Sequence, residues 1–367
     1  MNHLLVIRLS ALGDAAILAP VLRQFVDSTD NLPAITVAAP PLLEPLFNDI
    51  PGIQFLGVEK RQSVLRLYRI FRHVGADAVA DMHCVNRINH ALILLRLDAL
   101  IHFRSLSIRH IHKGRISRTL FLLHLRKRPL PTQAHRYADV LRRLHLITDT
   151  ITQSPSTGSG TVGGGPESVE GHLHDNAISK TLGFAPFAQH QGKIWPQKYS
   201  EQLLQLLISN GYRVILFGSK EEAPLLHSIV NNCATHLPST GSGTVGGGDE
   251  AVEGQSHNNA ITVLAGTLSF AQELEYIRHL SLMVTMDSAN MHFASAVGTP
   301  VLSIWGATHP HLGFYGYGQS PDNALCANLP CQPCSHYGQR PCRYRDYPCL
   351  RAITPTIVMQ RIHTITQ

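Results

Sequence analysis

The stretch Val284–Gly306 constrains the fold more tightly than any other part of the chain. It reads V-T-M-D-S-A-N-M-H-F-A-S-A-V-G-T-P-V-L-S-I-W-G. An apolar run, Leu282–Met286, ends abruptly at Asp287-Ser288. A helix-compatible run, Ala289–Val297, follows and stops at Gly298; Thr299-Pro300 then opens a second apolar run, Val301–Trp305. Strand, polar tip, helix, strand is the pattern of a βαβ unit. Asp287 and Ser288 fall where strand gives way to helix. Free backbone N–H groups and the positive end of the helix dipole lie there, which suits an anion such as phosphate. His292 lies one helical turn beyond Ser288, on the same face. The same residues are equally compatible with simple capping, with His292 on the surface or in the core.

The same alternation runs through the rest of the chain. In the first half, strands are expected at His3–Leu9, Ile35–Ala39, Ile53–Val58 and Ala78–Met82, and helices at Ala15–Val26 (kinked at Pro20), Pro41–Phe47, Val64–Val74, Asn89–Leu97 and Arg136–Leu146. In the second, strands at Leu182–Phe187, Tyr212–Phe217 and Ile261–Ala265 alternate with helices at Tyr199–Ser209, Glu221–Val230 and Phe270–Leu280. Alternation of this kind predicts α/β halves with parallel sheets, whose ligands bind off the carboxyl ends of the strands. The expected organisation is a domain over 1–150, a linker over 151–178 and a second domain over 179–367 interrupted by a loop at 238–259. One such strand end is Ser10-Ala11-Leu12-Gly13-Asp14. Asp14 there is either a helix cap or a carboxylate held at a cleft mouth as a general base. His83, at the end of its strand, is the next candidate for the base.

Two stretches break the pattern. Pro155–Gly165 and Pro238–Gly248 both read P-S-T-G-S-G-T-V-G-G-G. They hold almost no large apolar residue, so they bury no core and read as loop insertions. Neither contains the G-x-x-x-x-G-K-[ST] pattern of a phosphate loop.

Charge narrows the partners. The chain of 367 residues is only 15% charged, yet carries a formal +6. The basic residues cluster between Arg104 and Arg143, among them Arg109, Lys113 and Arg115. Such a cluster points to an anionic partner: a phosphorylated substrate or an anionic lipid surface. No interleaved aromatic pattern accompanies it, which argues against nucleic acid. No apolar run reaches the ~18–20 residues of a membrane span, and no signal-peptide pattern opens the chain, so a cytoplasmic location is expected. Five of seven cysteines crowd the C-terminal region. Cys331, Cys334, Cys342 and Cys349 are separated by two, seven and six residues. The first pair has zinc-finger spacing and the second does not, so structural zinc and free thiols both stay open.

Ala188–Tyr199, A-Q-H-Q-G-K-I-W-P-Q-K-Y, follows the first strand of the second half. Lys193 and Lys198 are candidates to neutralise a phosphate at that strand end, with a solvated basic loop as the competing reading, and Trp195-Pro196 would stiffen the loop.

Four segments together resemble glycosyltransferase family 9, the bacterial heptosyltransferases. They are L-L-V-I-R-L-S-A-L-G-D-A, A-P-F-A-Q-H-Q-G-K-I-W-P, M-D-S-A-N-M-H-F-A-S-A-V-G-T-P with its trailing S-I-W-G, and the cysteine-rich tail ending D-Y-P-C-L-R-A-I-T-P. The resemblance implies a GT-B architecture, two Rossmann-like domains facing each other across a cleft. It implies inverting, metal-independent transfer of a heptose from a nucleotide sugar, typically ADP-heptose, to a lipopolysaccharide core or lipid A-type acceptor, with no cofactor. By position in the motifs, Asp14 would be the catalytic base and Lys193 would contact the donor diphosphate. Asp287, Ser288, Ala289 and His292 would line the donor site. Arg109, Lys113 and Arg115 are candidates for a phosphorylated lipid or saccharide acceptor, with peripheral contact at the anionic inner membrane. Many family members carry Thr-Gly where this chain has Ser288-Ala289. The serine keeps the hydroxyl, but the Ala289 Cβ keeps the backbone farther from the diphosphate, which leaves the sugar open. A nucleotide-sugar epimerase of similar build and a non-catalytic nucleotide-sugar binding protein are the competing readings.

Overall fold

The computed structural model describes residues 1–126, 128–147, 181–234 and 260–367. Both Gly/Ser repeats, and the linker and loop boundaries expected around them, lie outside the described residues. The chain divides into two compact units, the first holding the N-terminal half together with residues 295–297 and 310–319.

In the first unit a parallel sheet has the order β3-β2-β1-β4-β5. Its strands are β1 His3–Ile7, β2 Ala34–Ala39, β3 Ile53–Gly57, β4 Ala78–Asp81 and β5 Ser107–His110. Its helices are α1 Leu12–Ala16, α2 Leu18–Asp27, α3 Val64–Val74, α4 Asn86–Ile101, α5 Arg115–Leu122 and α6 Gln133–Arg143. Leu4, Leu5, Val6 and Ile7 of β1 are all fully buried, as a central strand covered on both faces requires. The ends of α3 follow from its sequence. The Ser63 hydroxyl accepts from the Arg66 N–H at 3.3 Å, and Gly75 closes the helix at a φ of 69°. Leu67 and Phe71, four apart, form its buried stripe, and truncating Phe71 to alanine would cost about 3–5 kcal/mol.

Three expectations are corrected here. The helix read across Ala15–Val26 is two helices that break at Ile17, and Pro20 makes no kink. Pro20 is the third residue of α2, where a missing N–H forfeits no intrahelical bond. Pro41–Leu46 is a 3₁₀ turn rather than an α-helix. The basic cluster, where no element was expected before Arg136, contains β5, whose Ala78↔Ser107 to Asp81↔His110 register completes the sheet edge, and α5.

In the second unit a parallel sheet has the order β11-β10-β9-β6-β7-β8. The strands are β6 Thr181–Ala185, β7 Arg213–Leu216, β8 Ile261–Val263, β9 Leu282–Met286, β10 Val301–Trp305 and β11 Ala324–Cys326. The helices are α7 Gln197–Ser209, α8 Ala223–Ala234, α9 Phe270–Arg278, α10 Ala289–Ala296, α11 Pro348–Arg351 and α12 Pro355–Thr366. β9, α10 and β10 are the βαβ unit of the opening stretch, and β9 and β10 pair in parallel from Met283↔Val301 to Met286↔Ile304. α12 is capped by the Thr354 hydroxyl and packs on α7. Trp195, just before α7, is 1% exposed, and its Nε1 donates to the Ile353 carbonyl at 2.9 Å. That bond anchors the loop that carries Lys193.

Candidate active site

The first cluster lies at the carboxyl ends of β1, β4 and β5, adjacent strands of the first sheet. Asp14 is the third residue of α1, whose N-cap is Ala11, and no side chain caps that helix. Asp14 is therefore not the cap that was one of its two readings. Its Oδ2 is ion-paired with the Arg8 guanidinium, while its backbone carbonyl accepts from the Tyr137 hydroxyl at 2.8 Å. Arg8 is 6% exposed, donates to the Met82 carbonyl at 2.5 Å and stands over the Tyr137 ring at 5.9 Å. Asp14 is thus oriented through Oδ2, and its Oδ1 has no hydrogen-bond partner among the described residues. Arg8 and Tyr137 were not found by sequence reasoning. The one signal was Arg8 six residues before Asp14, with a turn between.

Beside them the Ser10 hydroxyl meets His83 Nε2 at 2.8 Å. Burial, with Arg8 adding to it, pulls the His83 pKa down to about 4, so the ring is neutral near pH 7. Asp81, Lys113 and Asp14 also act on it electrostatically. Lys113 follows β5 half-buried, and its burial lowers its pKa. Of the three basic acceptor candidates, Lys113 is the one in this cluster. Arg109 turns to the backbone, donating to the carbonyls of Arg143 at 3.1 Å and Ile108 at 3.2 Å. Arg115 is exposed at the start of α5.

The second cluster lies at the carboxyl ends of β6, β9 and β10 in the other unit. Lys193 Nζ and Asp287 Oδ2 are 2.9 Å apart, with side chains 15% and 6% exposed. The Thr308 hydroxyl donates to the same Oδ2 at 2.8 Å. Ser288 Oγ contacts Thr285 Oγ1 at 3.1 Å, Ala289 begins α10, and His292 is buried one turn along it. The structure therefore brings Lys193 together with Asp287, as a pair that sequence spacing did not show. An ammonium has three donor protons, so a lysine oriented by one carboxylate keeps capacity for a second anion.

Two residues from the cysteine-rich segment hold this arrangement. Gly338 has a φ of 81°, and a Cβ there would stand 2.7 Å from Lys193 Cγ. Its carbonyl accepts from the Gly192 N–H at 3.3 Å, and the Gly192 carbonyl accepts from the Ala307 N–H at 2.7 Å. Buried Gln332 donates through Nε2 to the carbonyls of Trp305 at 3.1 Å, Gly306 at 2.6 Å and Thr308 at 3.2 Å. The loop after β10 is pinned by that one amide. Neither role was legible in the sequence, because both depend on contacts far along the chain. The segment's four cysteines, Cys331, Cys334, Cys342 and Cys349, form no disulfide among the described residues, and burial pushes the Cys349 thiol up to about 12.

Comparison with known proteins gives the family and the fold. The family model Glycosyltransferase family 9 (heptosyltransferase) matches residues 112–344. Lipooligosaccharide heptosyltransferase 2 of Haemophilus influenzae is 28% identical over 130 residues, 35% of this chain and 32% of that protein. Lipopolysaccharide heptosyltransferase 2 of Salmonella typhimurium is 30% identical over 130 residues, with the same shares. The matched stretch thus spans about a third of the length of these curated relatives. Among solved structures, E. coli ADP-heptose lipopolysaccharide heptosyltransferase II aligns with a TM-score of 0.60 at 18% identity, covering 100% of this chain and 98% of that one. A glycosyl transferase family 9 protein from Veillonella parvula aligns at 0.67 and 17%, covering 100% and 97%. These likenesses give the fold: GT-B, with two parallel-sheet units.

Proposed function

The chain belongs to glycosyltransferase family 9, the heptosyltransferases, and from that premise we propose that it transfers a heptose from ADP-heptose to a lipopolysaccharide core or lipid A-type acceptor. The observation that carries the reading is the Lys193–Asp287–Thr308 constellation at the carboxyl ends of β6, β9 and β10, beside the start of α10. It supplies a fixed cation and a helix N-terminus together, which is what a departing diphosphate needs. The charge that builds on the leaving group meets Lys193 and His292, so this step calls on no metal ion at the diphosphate. Ser288 and Ala289 lie against the donor's phosphate and sugar end. On the other unit, Asp14 Oδ1 accepts the proton of the acceptor hydroxyl as that oxygen attacks the anomeric carbon. The C–O bond to the diphosphate breaks in the same displacement, which inverts the centre. Lys113 and Arg115 bind the acceptor's phosphate groups.

The acceptor is lipid-linked, and one face of the first unit suits its surroundings. Ile93, Leu97, Leu100 and Phe103 are exposed, Phe103 at 97%, beside exposed Arg96 and Arg104. Apolar and basic side chains together suit peripheral contact with an anionic inner leaflet, on the cytoplasmic side where the nucleotide sugar is made available. No helix among the described residues is long and apolar enough to cross a membrane.

The test is ADP release from ADP-heptose with and without a heptose-deficient lipopolysaccharide acceptor. Acceptor-dependent release supports transfer. ADP release without acceptor would instead make the chain a hydrolase, a changed donor sugar without ADP release would make it an epimerase, and binding without turnover would make it a binding protein.

A further inference from the structure

Three side chains with no role in the proposed transfer converge at the carboxyl edge of the first sheet. Asp81 ends β4, Cys84 lies just beyond it, and His110 ends β5, in register with Asp81. A carboxylate oxygen, a sulfur and an imidazole nitrogen, one from each, all lie within 4.8 Å of one another. Asp81 is fully buried. Its Oδ1 accepts from the backbone N–H groups of His83 at 2.9 Å and Cys84 at 2.8 Å, and its Oδ2 lies 2.8 Å from His110 Nδ1. The two amides therefore fix the carboxylate and leave Oδ2 directed at His110. The same turn holds Cys84 at a φ of 49°, a left-handed conformation that side chains other than glycine adopt at a cost of about 1–2 kcal/mol.

We propose that Asp81, Cys84 and His110 form a binding site for a divalent transition-metal ion of the Zn²⁺ class. The donor set decides the class. A thiolate and an imidazole select Zn²⁺ and its late first-row neighbours over Mg²⁺ or Ca²⁺, which take oxygen ligands. Three protein ligands leave a fourth tetrahedral position for water or a substrate oxygen. As the ion binds, the Cys84 thiol proton leaves to solvent. The Nδ1 proton of His110 moves to Nε2, or to solvent where the ring is charged, which frees the Nδ1 lone pair. The ammonium of Lys113 acts electrostatically on both Cys84 and Asp81 and competes for the same anions. The ion ties the segment after β4 to the end of β5, and so bears on the placement of His83 and Lys113. It is independent of the donor chemistry, whose residues lie on the other unit.

Co²⁺ is the probe, because a bound thiolate gives it a charge-transfer band and a tetrahedral site gives it strong visible absorption. The full chain, stripped with chelator, is titrated in a Cys331→Ser/Cys334→Ser/Cys342→Ser/Cys349→Ser background that removes the other clustered thiols. The expected result is one equivalent of Co²⁺ with a thiolate charge-transfer band, displaced by Zn²⁺. Cys84→Ser should abolish the band, His110→Ala should weaken binding more than about 10-fold, and Lys113→Gln should tighten it. Zn²⁺ should raise the Tm of the parent but not of the Cys84→Ser protein. A band that survives Cys84→Ser, or no Co²⁺ uptake by protein whose Tm shows it folded, overturns the proposal.

Discussion

Lys193→Met removes the charge at the centre of the proposed donor site while keeping a long stem. At 2.9 Å the Lys193–Asp287 pair has a gross attraction of about 6 kcal/mol at an effective dielectric of about 20. Asp287 is 5% exposed, so losing the lysine leaves a buried carboxylate with the Thr308 hydroxyl as its remaining side-chain partner among the described residues. Breaking such a pair on one side costs about 3–5 kcal/mol. At about 2–4 °C per kcal/mol for a unit of this size, Tm should fall roughly 6–20 °C. Affinity for ADP should fall about 10- to 150-fold, the loss of one charge-assisted bond worth about 1.5–3 kcal/mol. The double variant Lys193→Met/Asp287→Asn separates the two effects. It removes both charges, so most of the lost Tm should return while ADP affinity stays low. Differential scanning fluorimetry and ADP titration calorimetry read both quantities. A double variant no more stable than the single one would refute the ion-pair argument. ADP affinity within twofold of the parent in Lys193→Met would refute the donor role.

Gly338→Ala forces a Cβ against the Lys193 stem and a side chain into left-handed backbone, so Tm and ADP affinity should fall together. Gly211→Ala, at a φ of 77° with nothing within 4 Å, should lower Tm alone, and calorimetry distinguishes the two. Gln332→Ala removes the donor to three carbonyls around β10 and should cost about 2–3 kcal/mol in urea unfolding, with weaker ADP binding. His83 gives a pH signature. Its folded pKa of about 4 lies below the unfolded 6.5, so the unfolded chain binds the extra proton between those values. Stability should therefore fall as pH drops through that window, by up to ~3 kcal/mol, and level off below it. His83→Gln should flatten that part of a urea-unfolding series.

The fold was legible wherever a rule acts within a few residues. The βαβ unit at β9, α10 and β10 follows from two apolar runs divided by Asp287-Ser288 and Gly298-Thr299-Pro300. The bounds of α3 follow from Ser63, Gly75 and the stripe between them. β5 was hidden because it has one buried residue, Ile108, amid basic neighbours, and its strand identity comes from pairing with β4. The site divides in the same way. Asp14, Lys193 and Asp287 stand out by their places at strand ends. The partners that orient them do not: Tyr137 lies 123 residues beyond Asp14, and Gly338 and Gln332 act through tertiary contacts. The Lys193–Asp287 pair likewise joins β6 and β9, which become neighbours only in the folded sheet.

The account rests most directly on Asp14. Asp14→Asn keeps an oxygen for the Arg8 guanidinium but removes the charge, so some loss of Tm is expected because Arg8 is buried. The decisive measurement is kcat for acceptor-dependent ADP release, taken well below the Tm of both proteins, with ADP affinity measured alongside. The account predicts a fall of about 10²–10⁴-fold in kcat with ADP affinity unchanged, since the residue acts on the acceptor's proton and not on the donor. A variant that turns over at near the parent rate would contradict it and move the base to another group, His83 first among them.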